Sequence, residues 1–315
     1  MIRIGVVNID VSHPKAFSMY LEQGNRAKYV GVYNDAFRTD EEVDGFIKMF
    51  GLEKRCQSIE ELADMVDVGF VQSCNWDNHL KQATPFIEAG KPVFIDKPIV
   101  GSLADCLALE EFAANGAVIL GSSSVRYAEE VVNFMSKSEE EVGKIMHIYA
   151  SVGVDEFNYA IHAVESLGGV MTGAVSTQFM GRADVDGKKV ETFFVKFANG
   201  VTATYSICMG QWQPFDLSIM TTKNNYQIRV DANKIYGALL DNICDYMEKK
   251  PNKIAPVKDL TESIKIMLAG RISRNIGGAE VKLAEISIDD PGFDGDEFER
   301  GYAKNAVGAT LYLQK

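Results

Sequence analysis

Lys97 stands at the end of Gly90-Lys91-Pro92-Val93-Phe94-Ile95-Asp96-Lys97-Pro98, where a short apolar run stops in Asp-Lys-Pro. Parallel α/β sheets gather ligands at the C-terminal edge of their strands, so a lysine there can bind an anion or polarise a carbonyl or hydroxyl oxygen. Pro98 restricts Lys97 to an extended backbone and allows a cis bond, either of which aims the ammonium in one direction. Asp96 is placed to keep the lysine charged or to orient it. The same residues also read as a solvated strand end.

A second constellation is Asn158, His162 and Glu165, spaced i, i+4 and i+7 on one helical face. With apolar Ile161, Val164 and Leu167 on the other faces, the spacing suggests a lined pocket, and His162 is the general acid or base candidate. With no second His or Cys nearby, a metal site is not expected.

A dinucleotide-binding turn needs GxGxxG so that backbone can approach pyrophosphate at a helix N-terminus. Here the loop is Asn8-Ile9-Asp10-Val11-Ser12-His13-Pro14, with Asn8, Asp10 and His13 at the glycine positions. Asp10 repels a pyrophosphate unless it turns away, for instance to cap the helix that Pro14 begins. Two readings stay open: a modified cofactor or substrate loop through Asp10, Ser12 and His13, or plain capping. The next strand ends in Asn34-Asp35, where an acidic residue suits the adenosine ribose of NAD, although Arg38 could receive the 2′-phosphate of NADP. Asp35 is also an ordinary turn residue. Ser73, Cys74, Asn75 and His79 follow a third strand at the same edge. His79 either contacts cofactor or caps the following helix, and by itself favours the structural role.

These residues need a frame. Apolar runs at 3–8, 29–34, 68–74, 92–95 and 117–120 alternate with amphipathic segments at 15–23, 41–50, 59–65, 78–89 and 102–114, the pattern of a parallel sheet covered by helices. After about Val125 the pattern changes to longer alternating strands at 144–154, 175–182, 190–197, 201–208 and 217–221, with helices at 127–138, 159–167, 235–248 and 260–276. Asn199-Gly200 marks a hairpin. The expectation is an α/β protein: a Rossmann-type parallel-sheet domain over 1–124, then an α+β domain over 125–315 with an open, mainly antiparallel sheet. An open sheet face needs covering, which points to a homo-oligomer, a dimer or tetramer.

The chain has 315 residues, 46% apolar and 24% charged, enough for two domains. Its net charge of −12 disfavours nucleic acid and anionic membrane partners. The start lacks signal-peptide features and no window approaches a membrane span, so a cytoplasmic protein is expected. Five scattered cysteines without CxxC spacing suit reduced thiols.

Taken together, these motifs resemble the glucose-fructose oxidoreductase, inositol dehydrogenase and rhizopine catabolism protein (Gfo/Idh/MocA) family along essentially the whole chain. The carriers are Asn78-His79 before a helix ending in Glu88-Ala89-Gly90-Lys91-Pro92, and Asp96-Lys97-Pro98 in place of Glu-Lys-Pro. They continue with Arg126-Tyr127, Gly143-Lys144-Ile145, and Asn158, His162 and Glu165 in place of an Asp, His and Asp/Glu pattern. Asp10 to His13 is similar to a Gly-poor branch with Asp-x-Ser-His. The resemblance implies an NAD(P)-dependent oxidoreductase of sugars, polyols or related metabolites. It assigns Lys97 to binding and polarising the substrate oxygen beside the nicotinamide, with His162 as acid/base. Arg126, Tyr127, Asn158, Glu165 and His13 are candidates for the substrate side. Asn8, Asp10, Ser12, Asn34, Asp35, Arg38, Ser73, Cys74, Asn75, His79, Asp96 and Lys97 are candidates for the cofactor side.

Asn158 deprives His162 of a carboxylate that would raise its pKa. Two other outcomes stay open: a glycosidase or lyase using transient oxidation by NAD, and a non-catalytic ligand sensor on the same fold. The missing glycines favour the sensor; Lys97 and His162 together favour catalysis.

Overall fold

The computed structural model describes residues 1–306, which leaves the last part of the expected second domain outside the described residues. In the first domain β1 (Ile2–Val7), α1 (His13–Gly24), β2 (Ala27–Tyr33), α2 (Asp40–Phe50), β3 (Lys54–Arg55) and α3 (Ile59–Met65) form one half. The other half is β4 (Val68–Val71), α4 (His79–Glu88), β5 (Val93–Asp96), α5 (Leu103–Ala114) and β6 (Ile119–Ser122). The strands make one parallel sheet in the order β3-β2-β1-β4-β5-β6, so the chain reverses direction across the sheet between β1 and β4. In such sheets the ligand crevice opens at that switch, beyond the strand C-termini.

Local sequence explains these elements. β4, β5 and β6 are buried at every position, as strands covered by helices on both faces must be. Thr39 and Glu42 form a capping box that starts α2, and Gly51 ends it at φ 63°, a left-handed conformation that costs glycine nothing. At the end of α1 the left-handed position is Asn25 rather than Gly24. β3 was not visible in the sequence: its two polar residues form a strand only through pairing with Gly31 and Val32.

The second domain begins with α6 (Glu129–Met135) and α7 (Glu139–Val142), in place of the single helix expected over 127–138. It continues through β7 (Ile145–Val154), α8 (Ala160–Gly168), β8 (Ala174–Val185), β9 (Lys188–Phe197), β10 (Thr202–Met209), β11 (Asp216–Thr221) and β12 (Asn225–Arg229). Then come α9 (Ile235–Met247), α10 (Val257–Asn275), β13 (Val281–Lys282) and α11 (Gly295–Ala306). The sheet order is β12-β11-β7-β10-β9-β8-β13, antiparallel except where β7 pairs with β10. The hairpin expected at Asn199-Gly200 joins β9 to β10. Ile148, Ala150 and Val152 of β7 face inward beneath α8, and Tyr149 faces out.

The last three long helices return to the first domain. Tyr20 of α1 donates to Asp241 of α9 at 2.7 Å, and Arg26 reaches Glu248 at 2.9 Å. α10 packs on α5, where Lys265 meets Glu110 at 2.6 Å.

Candidate active site

β5 delivers Asp96 and Lys97 to the ligand edge as the sequence indicated, and the Lys97-Pro98 peptide is cis. Lys97 Nζ donates to the Asn158 Oδ1 at 2.8 Å and to the Asn158 backbone oxygen at 3.1 Å, crossing from the first domain to the residue pair that opens α8. Its ammonium lies 5.4 Å from the Tyr159 ring centroid. Burial lowers the Lys97 pKa, opposed by the negative charges of Asp96 and Asp155. Lys97 therefore holds its proton more loosely than a surface lysine does.

Asp96 is the hub beneath it. Oδ1 accepts the Lys97 backbone N–H at 2.8 Å, and Oδ2 lies 2.7 Å from His13 Nδ1 and accepts from Gln72 Nε2 at 3.2 Å. Tyr29 in turn fixes Gln72 through a 2.6 Å hydrogen bond. Although burial alone would raise it, Asp96 is held down at about 2 by His13 and Lys97. The His13 ring stacks on Phe17 with centroids 5.5 Å apart and meets the edge of Tyr236, from α9, at 5.2 Å.

His162 faces the same space from α8. Its Nδ1 lies 2.8 Å from Ser123 Oγ, and its ring packs between Tyr159 and Phe215 at 5.6 and 5.1 Å. Burial and the charges of Lys97 and His13 push its pKa well below the ordinary histidine value. The site thus collects a lysine, two imidazoles, a carboxylate and two phenols. Tyr159, Tyr236, Ser123 and Asp155 were not foreseen; Ser123 and Asp155 directly follow β6 and β7, a strand-end signal the sequence did offer, whereas Tyr159 and Tyr236 belong to helix starts.

Glu165 does not join Asn158 and His162. It turns to the other side of α8, where Oε2 accepts from Arg126 Nε at 2.6 Å, and it is fully buried. Arg126 also donates to the Gly168 and Asp259 backbone oxygens at 2.9 and 3.0 Å, and Tyr127 receives the Ala255 N–H. One face by spacing is not one face by contact: an interior guanidinium claims the carboxylate. Arg126, Tyr127 and Glu165 brace α8 against α10.

At the switch point, Asn8 takes the left-handed conformation of the first glycine, φ 63°. Its side chain joins three strand ends: Nδ2 donates to Asp35 Oδ1 and Ser73 Oγ, both at 2.9 Å, while Oδ1 accepts the Asp35 N–H. Asp10 does not cap α1. It turns under the β4 loop, where Oδ2 accepts the Cys74 N–H at 3.0 Å and, among the described residues, Oδ1 has no hydrogen-bond partner. Burial raises its pKa to about 7. Ser12 precedes α1 without a side-chain cap.

Arg38 is buried and donates to the Asp10 backbone oxygen and to Glu42. Asn34 donates to the Ala36 and Arg38 backbone oxygens. His79 is buried between the Ser73 and Ile99 carbonyls, a brace between the β4 and β5 loops.

A dinucleotide, the group implied by the resemblance, fits one end of this crevice better than the other. The cluster around Lys97 suits a nicotinamide and a reacting alcohol, and the α1 N-terminus, with no acidic residue in its first turn, suits a phosphate. Asp35 at the end of β2 suits a ribose. α11 stands over the β4 loop: Asn75 donates to Asp296 at 2.7 Å and Glu299 at 2.9 Å, and Asp77 accepts the Gly295 N–H. The residues around Lys97, the α1 N-terminus and Asp35 fit the group, whereas α11 covers the β4 loop.

Residues 2–124 match the family model described as oxidoreductase family, NAD-binding Rossmann fold (GFO_IDH_MocA). No curated protein matches the sequence. Among solved structures, a probable dehydrogenase from Thermotoga maritima is 15% identical, with 90% of this chain and 100% of that chain covered at TM-score 0.77. A scyllo-inositol dehydrogenase from Lactobacillus casei, solved with bound NAD(H) and scyllo-inositol, is 14% identical over 90% and 100% at TM-score 0.74. A putative NADPH-dependent oxidoreductase from Desulfitobacterium hafniense is 14% identical over 90% and 98% at TM-score 0.74. At these identities the likeness is one of fold, and it spans both domains. Among the described residues no helix is long and apolar enough to cross a membrane.

Proposed function

From residues 2–124, which match the oxidoreductase family model with an NAD-binding Rossmann fold, we propose an NAD(P)-dependent dehydrogenase or reductase acting on a secondary alcohol or ketone of a sugar or polyol. The observation that carries this reading is Lys97, held by Asn158 across the two domains and flanked by His13 and His162. When bound, the nicotinamide supplies the hydride acceptor or donor.

The chain's own residues do the rest. Lys97 binds the substrate oxygen and stabilises the alkoxide that develops as hydride leaves. Asn158 fixes the ammonium, and His162, kept neutral and met at Nδ1 by Ser123, offers its other ring nitrogen as a hydrogen-bond donor to the same oxygen. Tyr159 and Tyr236 wall the pocket with phenols that hydrogen-bond a polyol. Asp35, together with the inward turn of Arg38, favours NAD over NADP. A second copy of the chain covers the outer face of the seven-stranded sheet, where Tyr149 and Met220 are exposed.

Asp10 and the position of α11 give the sensor reading a specific basis, since both oppose a diphosphate. Calorimetry with NAD+ and NADP+, followed by turnover on a panel of inositols and aldoses, separates the two. The dehydrogenase reading requires binding and reduced cofactor; ligand binding without nucleotide binding supports the sensor.

A further inference from the structure

Two imidazoles enter the site, and only one is built as a base. A working histidine base needs one ring nitrogen held by an orienting carboxylate and the other open to the reacting proton. His162 has the opposite environment: its Nδ1 meets a serine hydroxyl, and Lys97 beside it disfavours a second cation. His13 has Nδ1 on Asp96 at 2.7 Å, and among the described residues its Nε2 has no hydrogen-bond partner. Its side chain keeps 13% exposure at the site while Asp96 is buried at 4%. Asp96 is itself held by Gln72 and by the Lys97 N–H, so the carboxylate that orients His13 also sets the backbone of Lys97.

We propose that His13 is the catalytic base of the reaction and Asp96 its positioning residue. This rests on the dehydrogenase reading. As the alcohol is oxidised, its O–H proton passes to His13 Nε2, and Asp96 balances the resulting imidazolium; in reduction the same proton returns to the alkoxide oxygen.

The test has two arms. With scyllo-inositol and NAD+ as probes, His13→Ala lowers kcat by at least about 100-fold and added imidazole restores part of it, which a structural histidine does not allow. Asp96→Glu retains more activity than Asp96→Asn. Independently of substrate, nitrogen-15 NMR of the four histidines finds neutral His13 protonated on Nδ1, and Asp96→Asn disturbs that tautomer. A neutral His13 protonated on Nε2, or full activity in His13→Ala, overturns the proposal. A wild-type protein inactive on every polyol removes the dehydrogenase reading instead, and the tautomer still decides whether His13 is poised as a base.

A separate observation concerns α11. It starts on Asp77, which accepts the Gly295 and Asp296 N–H groups, and Trp76 beneath it donates to the Phe293 backbone oxygen at 2.7 Å. Phe298 packs on Trp76 and Tyr302 reaches Phe37, so the helix bridges the β4 and β2 loops above Asp10. The ligand atoms of Asp10, Cys74 and Glu299 lie within 4.8 Å of one another. Two carboxyl groups thus occupy the side of the crevice where a diphosphate would approach.

The geometry points to α11 as a built-in lid that shares its seat with the diphosphate of the dinucleotide, so that one leaves when the other binds. Removing residues 295–315 lowers the Kd for NAD+ at least ten-fold, and saturating NAD+ raises hydrogen exchange over 295–306 in the full chain. Equal affinity in both forms, or exchange that NAD+ leaves unchanged or slows, overturns the lid alone. No NAD+ binding in either form overturns the lid and the cofactor assignment together.

Discussion

Asp96 accepts from Gln72 and meets His13 Nδ1 at 2.7 Å, so the last residue of β5 is tied to the first residue of α1 across the mouth of the sheet. The contact sets a pH signature. Asp96 is held at about 2 in the fold against about 3.9 in the unfolded chain, so it contributes stability above pH 4 that is lost as pH falls through about 2. The expected contribution is about 2 kcal/mol. Asp96→Asn should flatten the acid limb of the unfolding free energy measured in urea; an unchanged limb contradicts the coupling.

Asp10 runs the other way. Its folded pKa of about 7 lies above the unfolded value, so the protein loses stability as pH rises from about 4 to about 7 and is level beyond. Asp10→Asn keeps an acceptor for the Cys74 N–H and removes the buried charge, so it should stabilise the protein at pH 8 by a few kcal/mol, on the order set by the shift. Thermal unfolding at pH 5 and pH 8 reads the difference; equal effects at both refute it.

Glu165→Ala should cost about 3–5 kcal/mol, because it strands the buried Arg126 guanidinium. Arg126→Met with Glu165→Met should recover most of that loss. Denaturant unfolding measures both. A stable Glu165→Ala with only a raised KM would return Glu165 to the substrate.

Lys97→Met should lower turnover by about 100- to 1,000-fold, the usual cost of removing one preorganised group that stabilises transition-state charge. Its melting temperature should not fall, since burial already works against the ammonium. A melting temperature that collapses together with activity would make Lys97 a structural link to Asn158.

The first domain was legible because its strands are buried on both faces and appear as short apolar runs between capped helices. Lys97 was legible for the same reason, being the first residue after β5 and a charged one. The second domain was legible where strands alternate over a long run, as in β7, and less so in β12, whose alternation lasts only five residues. What the sequence could not disclose were pairings between distant residues. Glu165 looked like a site group until Arg126, 39 residues away, claimed it. Asp10 looked like a helix cap until the Cys74 N–H, 64 residues on, proved its partner. The helix α11 was not foreseen, and its seat on Trp76 and Phe37 depends on the tertiary fold.

The most direct test of the account follows an isotope. The protein is incubated with NAD+ and inositols or aldoses carrying deuterium on their carbinol carbons, and the nucleotide is analysed by mass spectrometry. The account predicts deuterium on the nicotinamide with wild-type protein and none with Lys97→Met. Nucleotide that binds but stays unlabelled with every substrate would contradict it.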